Sequence, residues 1–84
     1  MSLILIVEDN IDLIHALGLA LELQGYEPIR VTEAKRAMSM ASDHVPDLIL
    51  LDISMPDMDG LQVASRIRQD PQTRSIPILC MTGI

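Results

Sequence analysis

The sequence predicts an α/β fold: a parallel sheet with helices on both faces, in the order β-α-β-α-β-α-β. Three observations lead there. Short apolar runs alternate with longer amphipathic stretches along the whole chain. The runs are continuous and rich in branched residues, as in strands covered on both faces. Gly, Pro and capping residues punctuate the boundaries between them. No repeat, low-complexity tract or linker interrupts the pattern, and 84 residues make one domain, 1–84.

Leu3–Val7 reads as a central strand. Ile11 to Gln24 reads as a helix with Ile14, Leu17 and Leu21 on one stripe, Asn10 as its N-cap and Gly25 as its stop. Pro28 to Val31 is a weaker strand, which Pro28 confines to an edge or to a strand start. Thr32 is positioned to cap a second helix running to about Ser42, with Ala34, Ala37, Met38 and Ala41 inward. Leu48–Leu51 is a third buried strand, closed by Asp52. Ser54 to Gly60 is turn-rich, with Asp59 as the N-cap of the helix that follows. That helix spans Leu61 to Gln69 with Val63, Ala64 and Ile67 inward, and Pro71 ends it. Ile76 to Met81 is the fourth strand, in which Cys80 is expected to be a small buried hydrophobe.

Composition excludes several functions. Twelve acidic residues against six basic ones give a net charge of −6, with no electrostatic footprint for nucleic acid. Tyr26 is the single aromatic residue, so no base-stacking platform exists. Cys80 is the single cysteine, which rules out an internal disulfide and a multi-cysteine zinc site. The longest apolar runs fall far short of the ~20 residues that span a bilayer, and Glu8 and Asp9 interrupt the N-terminal one. A cytoplasmic location and no membrane partner are the expectation. His15 and His44 are expected on the surface, and Lys35, Arg36, Arg66 and Arg68 on solvated helix faces.

The residues that carry chemistry follow the strands. Glu8 and Asp9 come after the first, Asp52 after the third and Thr82 after the fourth. In open α/β sheets ligands bind outside the carboxyl ends of the strands, so these residues should meet at one sheet edge. Carboxylates gathered in one cleft repel one another, and some tend to stay protonated without a cation. A hard divalent cation resolves this. Mg²⁺ takes oxygen ligands and favours one or two carboxylates plus phosphate oxygens. A carboxylate beside it can act as a nucleophile and form an aspartyl phosphate.

Val7-Glu8-Asp9-Asn10, then Leu50-Leu51-Asp52-Ile53-Ser54-Met55-Pro56-Asp57-Met58-Asp59-Gly60, then Met81-Thr82-Gly83 together resemble the receiver domain of two-component response regulators. The resemblance holds in order and spacing along the whole chain. It implies a flavodoxin-like parallel sheet of order 2-1-3-4-5. It implies that Asp52 is the phosphoacceptor, taking a phosphoryl group from a sensor histidine kinase or phosphotransfer protein. Mg²⁺ would be bound by Asp9, Asp52 and the main-chain carbonyl of Ser54, with Glu8 assisting largely through water. Thr82 would be the switch hydroxyl that bonds the phosphoryl oxygen. Such a domain is not an enzyme in the usual sense, although it promotes its own phosphorylation and dephosphorylation. Taken alone, an Asp after a strand is more often a turn residue; in register with the other motifs, Asp52 reads as the acceptor.

The chain ends just after the fourth strand, so the receiver fold is incomplete in it. The family's fourth helix, fifth strand and fifth helix have no counterpart, and with them go a site lysine and an aromatic switch partner. Glu8, Asp9 and Asp52 carry about −3, Mg²⁺ returns +2, and phosphorylation adds roughly one further negative charge. One charge-assisted hydrogen bond, worth about 1.5–3 kcal/mol, is absent. Phosphorylation of these residues alone is therefore expected to be slow or absent. An uncharged edge, Ile78-Leu79-Cys80-Met81, invites a homodimer by strand pairing or domain swapping. A piece of a longer regulator and a naturally short chain both stand open.

The alternative reading is a degenerate receiver that binds protein partners without phosphorylation. A phosphatase of the haloacid-dehalogenase type is disfavoured, since that family needs an Asp where Ser54 stands. A nucleotide-binding module is disfavoured as well, because no Gly-rich loop follows the first strand.

Overall fold

The computed structural model describes residues 2–56 and 59–81. Its elements are β1 (Leu3–Val7), α1 (Ile11–Leu23), β2 (Glu27–Val31), a 3₁₀ turn (Ala34–Arg36), α2 (Ala37–His44), β3 (Leu48–Asp52), α3 (Gly60–Gln69) and β4 (Ile78–Met81). All strand pairs are parallel, in the order β2-β1-β3-β4. This is the start of the order the sequence implied.

Side chains alternate across the sheet and divide the core in two. On one face Leu5, Val7, Ile49 and Leu51 meet Ala37 and Ala41 of α2 and Val63 and Ile67 of α3. On the other, Ile4, Ile6 and Leu50 pack against Ile14, Leu17 and Leu21 of α1. Leu5, Ile6, Val7, Ile49 and Leu51 have no more than 0% exposure. Burying each such side chain contributes about 1.5–3 kcal/mol, which explains why β1 and β3 read as unbroken apolar runs.

The caps follow their chemistry. The Asn10 side chain accepts the Leu13 N–H at 3.0 Å to start α1. Gly25 adopts φ +89°, the left-handed conformation that ends α1 and turns the chain into β2. The Asp59 carboxylate accepts the Leu61 N–H at 2.9 Å to start α3. At the N-terminal edge of the sheet, Asp47 latches β3 to β1. Its carboxylate accepts the Leu3 N–H and its own N–H donates to Leu3 O, both at 2.8 Å.

Several expectations are corrected. Thr32 is not at the cap position of α2: the chain enters a 3₁₀ turn after Glu33, and α2 runs from Ala37 to His44, beyond Ser42. β4 begins at Ile78, because the Ile76 N–H is already bonded to Thr73 O and Pro77 has no N–H to give a ladder. Cys80 is exposed. It pairs with Leu51 on β4, the outermost described strand, where the packing that buries β3 does not reach. Arg68 is more than a solvated cation. Its guanidinium donates to Arg74 O at 2.9 Å and Ile76 O at 2.6 Å, tying α3 to the start of β4. His15 and His44 are exposed, as expected.

Gly18, in mid-helix, has a steric reason. Arg30 on β2 reaches across α1 to Glu22 at 3.2 Å, and its guanidinium fills the space a Cβ at position 18 would take. Among the described residues no helix is long and apolar enough to cross a membrane.

Candidate functional site

Parallel strands all end at the same edge of the sheet, and there the acidic residues gather. Val7 of β1 pairs with Leu51 of β3, so the residues that follow each, Glu8 and Asp52, leave the sheet at one level. The ladder fixes them. The Glu8 N–H donates to Val31 O at 3.0 Å, and the Ile53 N–H donates to Met81 O at 3.1 Å. Glu8, Asp9 and Asp52 each offer a carboxylate oxygen, all within 4.8 Å of one another.

Their surroundings differ. Glu8 and Asp52 are buried, at 4% and 3% exposure, whereas Asp9 is open to solvent. The Asn10 N–H donates to Glu8 Oε2 at 3.1 Å. Asp52 Oδ1 accepts two hydrogen bonds from Ser54, from its N–H and from its hydroxyl, each at 2.9 Å. Burial is the main cause that pushes the Glu8 carboxyl up to about 7. The bond from Asn10 pulls it down, while its contacts with Asp52 and Asp9 raise it further.

The loop after Asp52 is held from below. Met55 is buried in the core of the α2/α3 face. Gly60, the first residue of α3, presses on the backbone: a Cβ there would collide with Ile53 Cα and stand 2.8 Å from Asp52 O. Apolar side chains are exposed beside the cleft, with Ile11 at 59% and Leu13 at 43% on the first turn of α1.

The structure thus brings Glu8, Asp9, Asp52 and Ser54 together. Thr82 and Asp57 lie outside the described residues. Two features escape a reading of the sequence. One is the depth of Glu8, since acidic residues after a strand are ordinarily solvated. The other is the Ser54 side chain on Asp52, although a Ser two residues after an Asp is a recurrent local hydrogen-bonding pattern.

A cleft of this kind at the carboxyl ends of a 2-1-3-4 parallel sheet defines a receiver. The response regulator receiver domain family model matches residues 4–84, and the chain belongs to that family. Among curated relatives it is 38% identical over 80 residues to the polar-differentiation response regulator DivK of Brucella ovis, covering 95% of this chain and 65% of that protein. The chain therefore spans a little less than two thirds of the length of the relatives it matches. Among solved structures it resembles the N-terminal domain of a response regulator receiver protein from Methanoculleus marisnigri JR1. The TM-score is 0.91 at 38% identity, covering 95% of this chain and 65% of that one. It also resembles the chemotaxis response regulator CheY4 of Vibrio cholerae, with a TM-score of 0.90 at 29% identity over 95% of this chain and 67% of that one.

Proposed function

We propose that the chain is a phosphoacceptor, in which Asp52 takes a phosphoryl group from a phosphohistidine of a sensor histidine kinase or phosphotransfer protein. The observation that carries this reading is the convergence of three carboxylate oxygens within 4.8 Å, two of them on buried residues, at the carboxyl edge of a receiver sheet. The donor set is hard oxygen throughout, which suits Mg²⁺. Asp9, Asp52 and the Ser54 carbonyl would hold it, with Glu8 acting through water. Bound there, the cation supplies charge neutralisation for the carboxylates and for the oxygens of the arriving phosphoryl group.

In the transfer itself, a carboxylate oxygen of Asp52 attacks phosphorus. The bond from phosphorus to the imidazole nitrogen breaks, and its electron pair stays on that nitrogen. In the metal-free cleft Glu8, raised to about 7, relieves repulsion by holding a proton part of the time. Ile11 and Leu13 offer an apolar rim on which a donor protein can rest. Thr82, which follows the Met81 that pairs with Asp52, is the residue we assign to the phosphoryl oxygen as a switch hydroxyl. Uptake by these 84 residues is read as slow, since the one lysine, Lys35, is ion-paired with Glu33 at 3.3 Å. A cytoplasmic setting fits a chain with one cysteine and no disulfide.

The exposed Ile11, Leu13, Leu19 and Leu23 of α1 also favour a second reading, a receiver that binds partners without phosphorylation. Intact mass after incubation with acetyl phosphate decides between them. Gain of one phosphoryl group that needs Mg²⁺ and is lost in Asp52→Asn supports the acceptor. No gain in a folded sample refutes it and leaves the binding module.

A further inference from the structure

We propose that two copies of the 84-residue chain pair antiparallel along β4, with Leu79 facing its twin across a two-fold axis. The pairing is independent of phosphorylation and begins in the backbone. The Ile49 N–H donates to Pro77 O at 2.9 Å, and the Ile53 N–H donates to Met81 O at 3.1 Å. Bonding direction alternates along a strand, so Pro77, Leu79 and Met81 turn toward β3. Ile78 and Cys80 turn their N–H and C=O groups the other way, and β4 is the outermost described strand on that side.

The opposite outer strand is guarded. On β2 the Glu27 N–H donates to Ser2 O at 2.9 Å, and Val31 O accepts the Glu8 N–H at 3.0 Å. The residues turned outward there are Pro28 and Arg30. Pro28 has no N–H, and Glu27 and Arg30 put charge on the strand. Proline and charge are what protects an edge from pairing. β4 has neither: Ile78-Leu79-Cys80-Met81 is uncharged, and Leu79 is 58% exposed. Head-to-tail pairing of β4 with β2 of another copy is therefore disfavoured, which leaves β4 on β4. An edge that pairs with itself closes as a dimer.

Charge sets the direction. Arg68 and Arg74 stand at the start of β4, where the Arg68 guanidinium donates to Arg74 O and Ile76 O. Glu8, Asp9 and Asp52 gather at its other end, where Met81 pairs with Asp52. Antiparallel pairing lays the basic end of each copy beside the acidic end of the other. Parallel pairing sets like charge against like. The backbone then sets the register. Two residues that exchange both bonds in an antiparallel pair must both face outward. Ile78 opposite the second copy's Cys80 meets that condition on both sides of the axis and satisfies every outward group of these residues. Leu79 then falls opposite its twin in the pair without hydrogen bonds, where side chains come closest. The two acidic clefts open at opposite edges of one continuous sheet, and neither covers the other.

Disulfide trapping reads this register. The Leu79 Cα atoms would be about 4.5 Å apart, within the roughly 4.4–6.8 Å that a disulfide spans. Cys80 and its twin would be diagonal neighbours about 7–8 Å apart, beyond that span. Sedimentation of the reduced, unmodified chain over a concentration series should show monomer and dimer with no larger species. A Leu79→Cys chain that also carries Cys80→Ser, verified as folded by its thermal melt, is then oxidised with copper–phenanthroline beside the unmodified chain. It should cross-link about tenfold faster than the unmodified chain does through Cys80. A monomer throughout overturns the proposal, and so do species larger than a dimer, which head-to-tail pairing would build. Equal trapping at both positions overturns it as well, since parallel pairing would bring both residues face to face with their twins. Faster trapping through Cys80 would put the axis at Cys80 and overturn the register.

Discussion

Gly60→Ala tests whether the site is shaped by its loop or merely decorated by it. Alanine is the better helix former by about 1 kcal/mol, so propensity alone predicts a gain. The structure predicts the opposite. The added Cβ would collide with Ile53 Cα, stand 2.8 Å from Asp52 O and 3.0 Å from Ile53 Cβ. Two of those neighbours are main chain and cannot rotate away. Overpacking against a tight site costs about 1–3 kcal/mol, and with rigid neighbours the upper part of that range applies, about 2–3 kcal/mol. At about 4–8 °C per kcal/mol for a domain of this size, the melting temperature should fall by roughly 10 °C or more. The displaced atoms adjoin Asp52, so Mg²⁺ binding should weaken as well. Gly25→Ala is the control. Nothing lies within 4 Å of its would-be Cβ, and only its φ of +89° resists. It should cost about 1 kcal/mol and leave Mg²⁺ binding untouched, because Gly25 sits at the far end of α1. Thermal melts and calorimetry on both variants provide the measurement. A Gly60→Ala melt within about 2 °C of the unmodified chain, with Mg²⁺ binding intact, would refute the argument from contact geometry.

Two further predictions concern charge and assembly. In metal-free buffer the Glu8 carboxyl is raised from 4.5 to about 7, so the folded state holds a proton that the unfolded chain releases. Stability should be highest below pH 4.5 as far as Glu8 is concerned and fall as pH rises through 7, by at most about 3 kcal/mol. Glu8→Gln should flatten that slope in melts taken across the interval, and an unaltered slope would assign it to other groups. At the other end of the sheet order, Leu79 on β4 is 58% exposed, and the 84-residue polypeptide should associate through this edge. Sedimentation over a concentration series should show a dimer that Leu79→Lys removes; a monomer throughout would dismiss strand pairing.

The sequence made the sheet legible because buried parallel strands are written as continuous apolar runs. Leu3–Val7 needed no context to be recognised. Acidic residues following two such runs were enough to place Glu8, Asp9 and Asp52 at one edge, since parallel strands share an exit. What stayed hidden depends on neighbours distant in sequence. Cys80 looks like a core residue until the sheet order leaves its strand outermost among those described. Thr32 looks like a cap until Ala34 packs inward through a 3₁₀ turn. Arg68 reads as solvated until the chain folds back to place Arg74 O and Ile76 O beside it. The burial of Glu8 likewise comes from the whole sheet edge rather than from its own segment.

The latch at Asp47 bears on how such a domain tolerates change over evolutionary time. A parallel strand that slips by one residue turns every side chain to the opposite face, and Asp52 would then exchange places with the buried Leu51 or with Ile53. The buried faces and the ladder of β1 and β3 set the register, and the paired bonds between Asp47 and Leu3 reinforce it at the edge of the sheet opposite the cleft. Asp52 stands five residues beyond Asp47, about 17 Å along the strand. An aspartate that never approaches the acidic cleft thus contributes to its alignment. Insertions in the loops around the cleft can accumulate without disturbing this alignment, whereas a single residue gained or lost between Asp47 and Asp52 would silence the site while leaving every one of its side chains in the sequence.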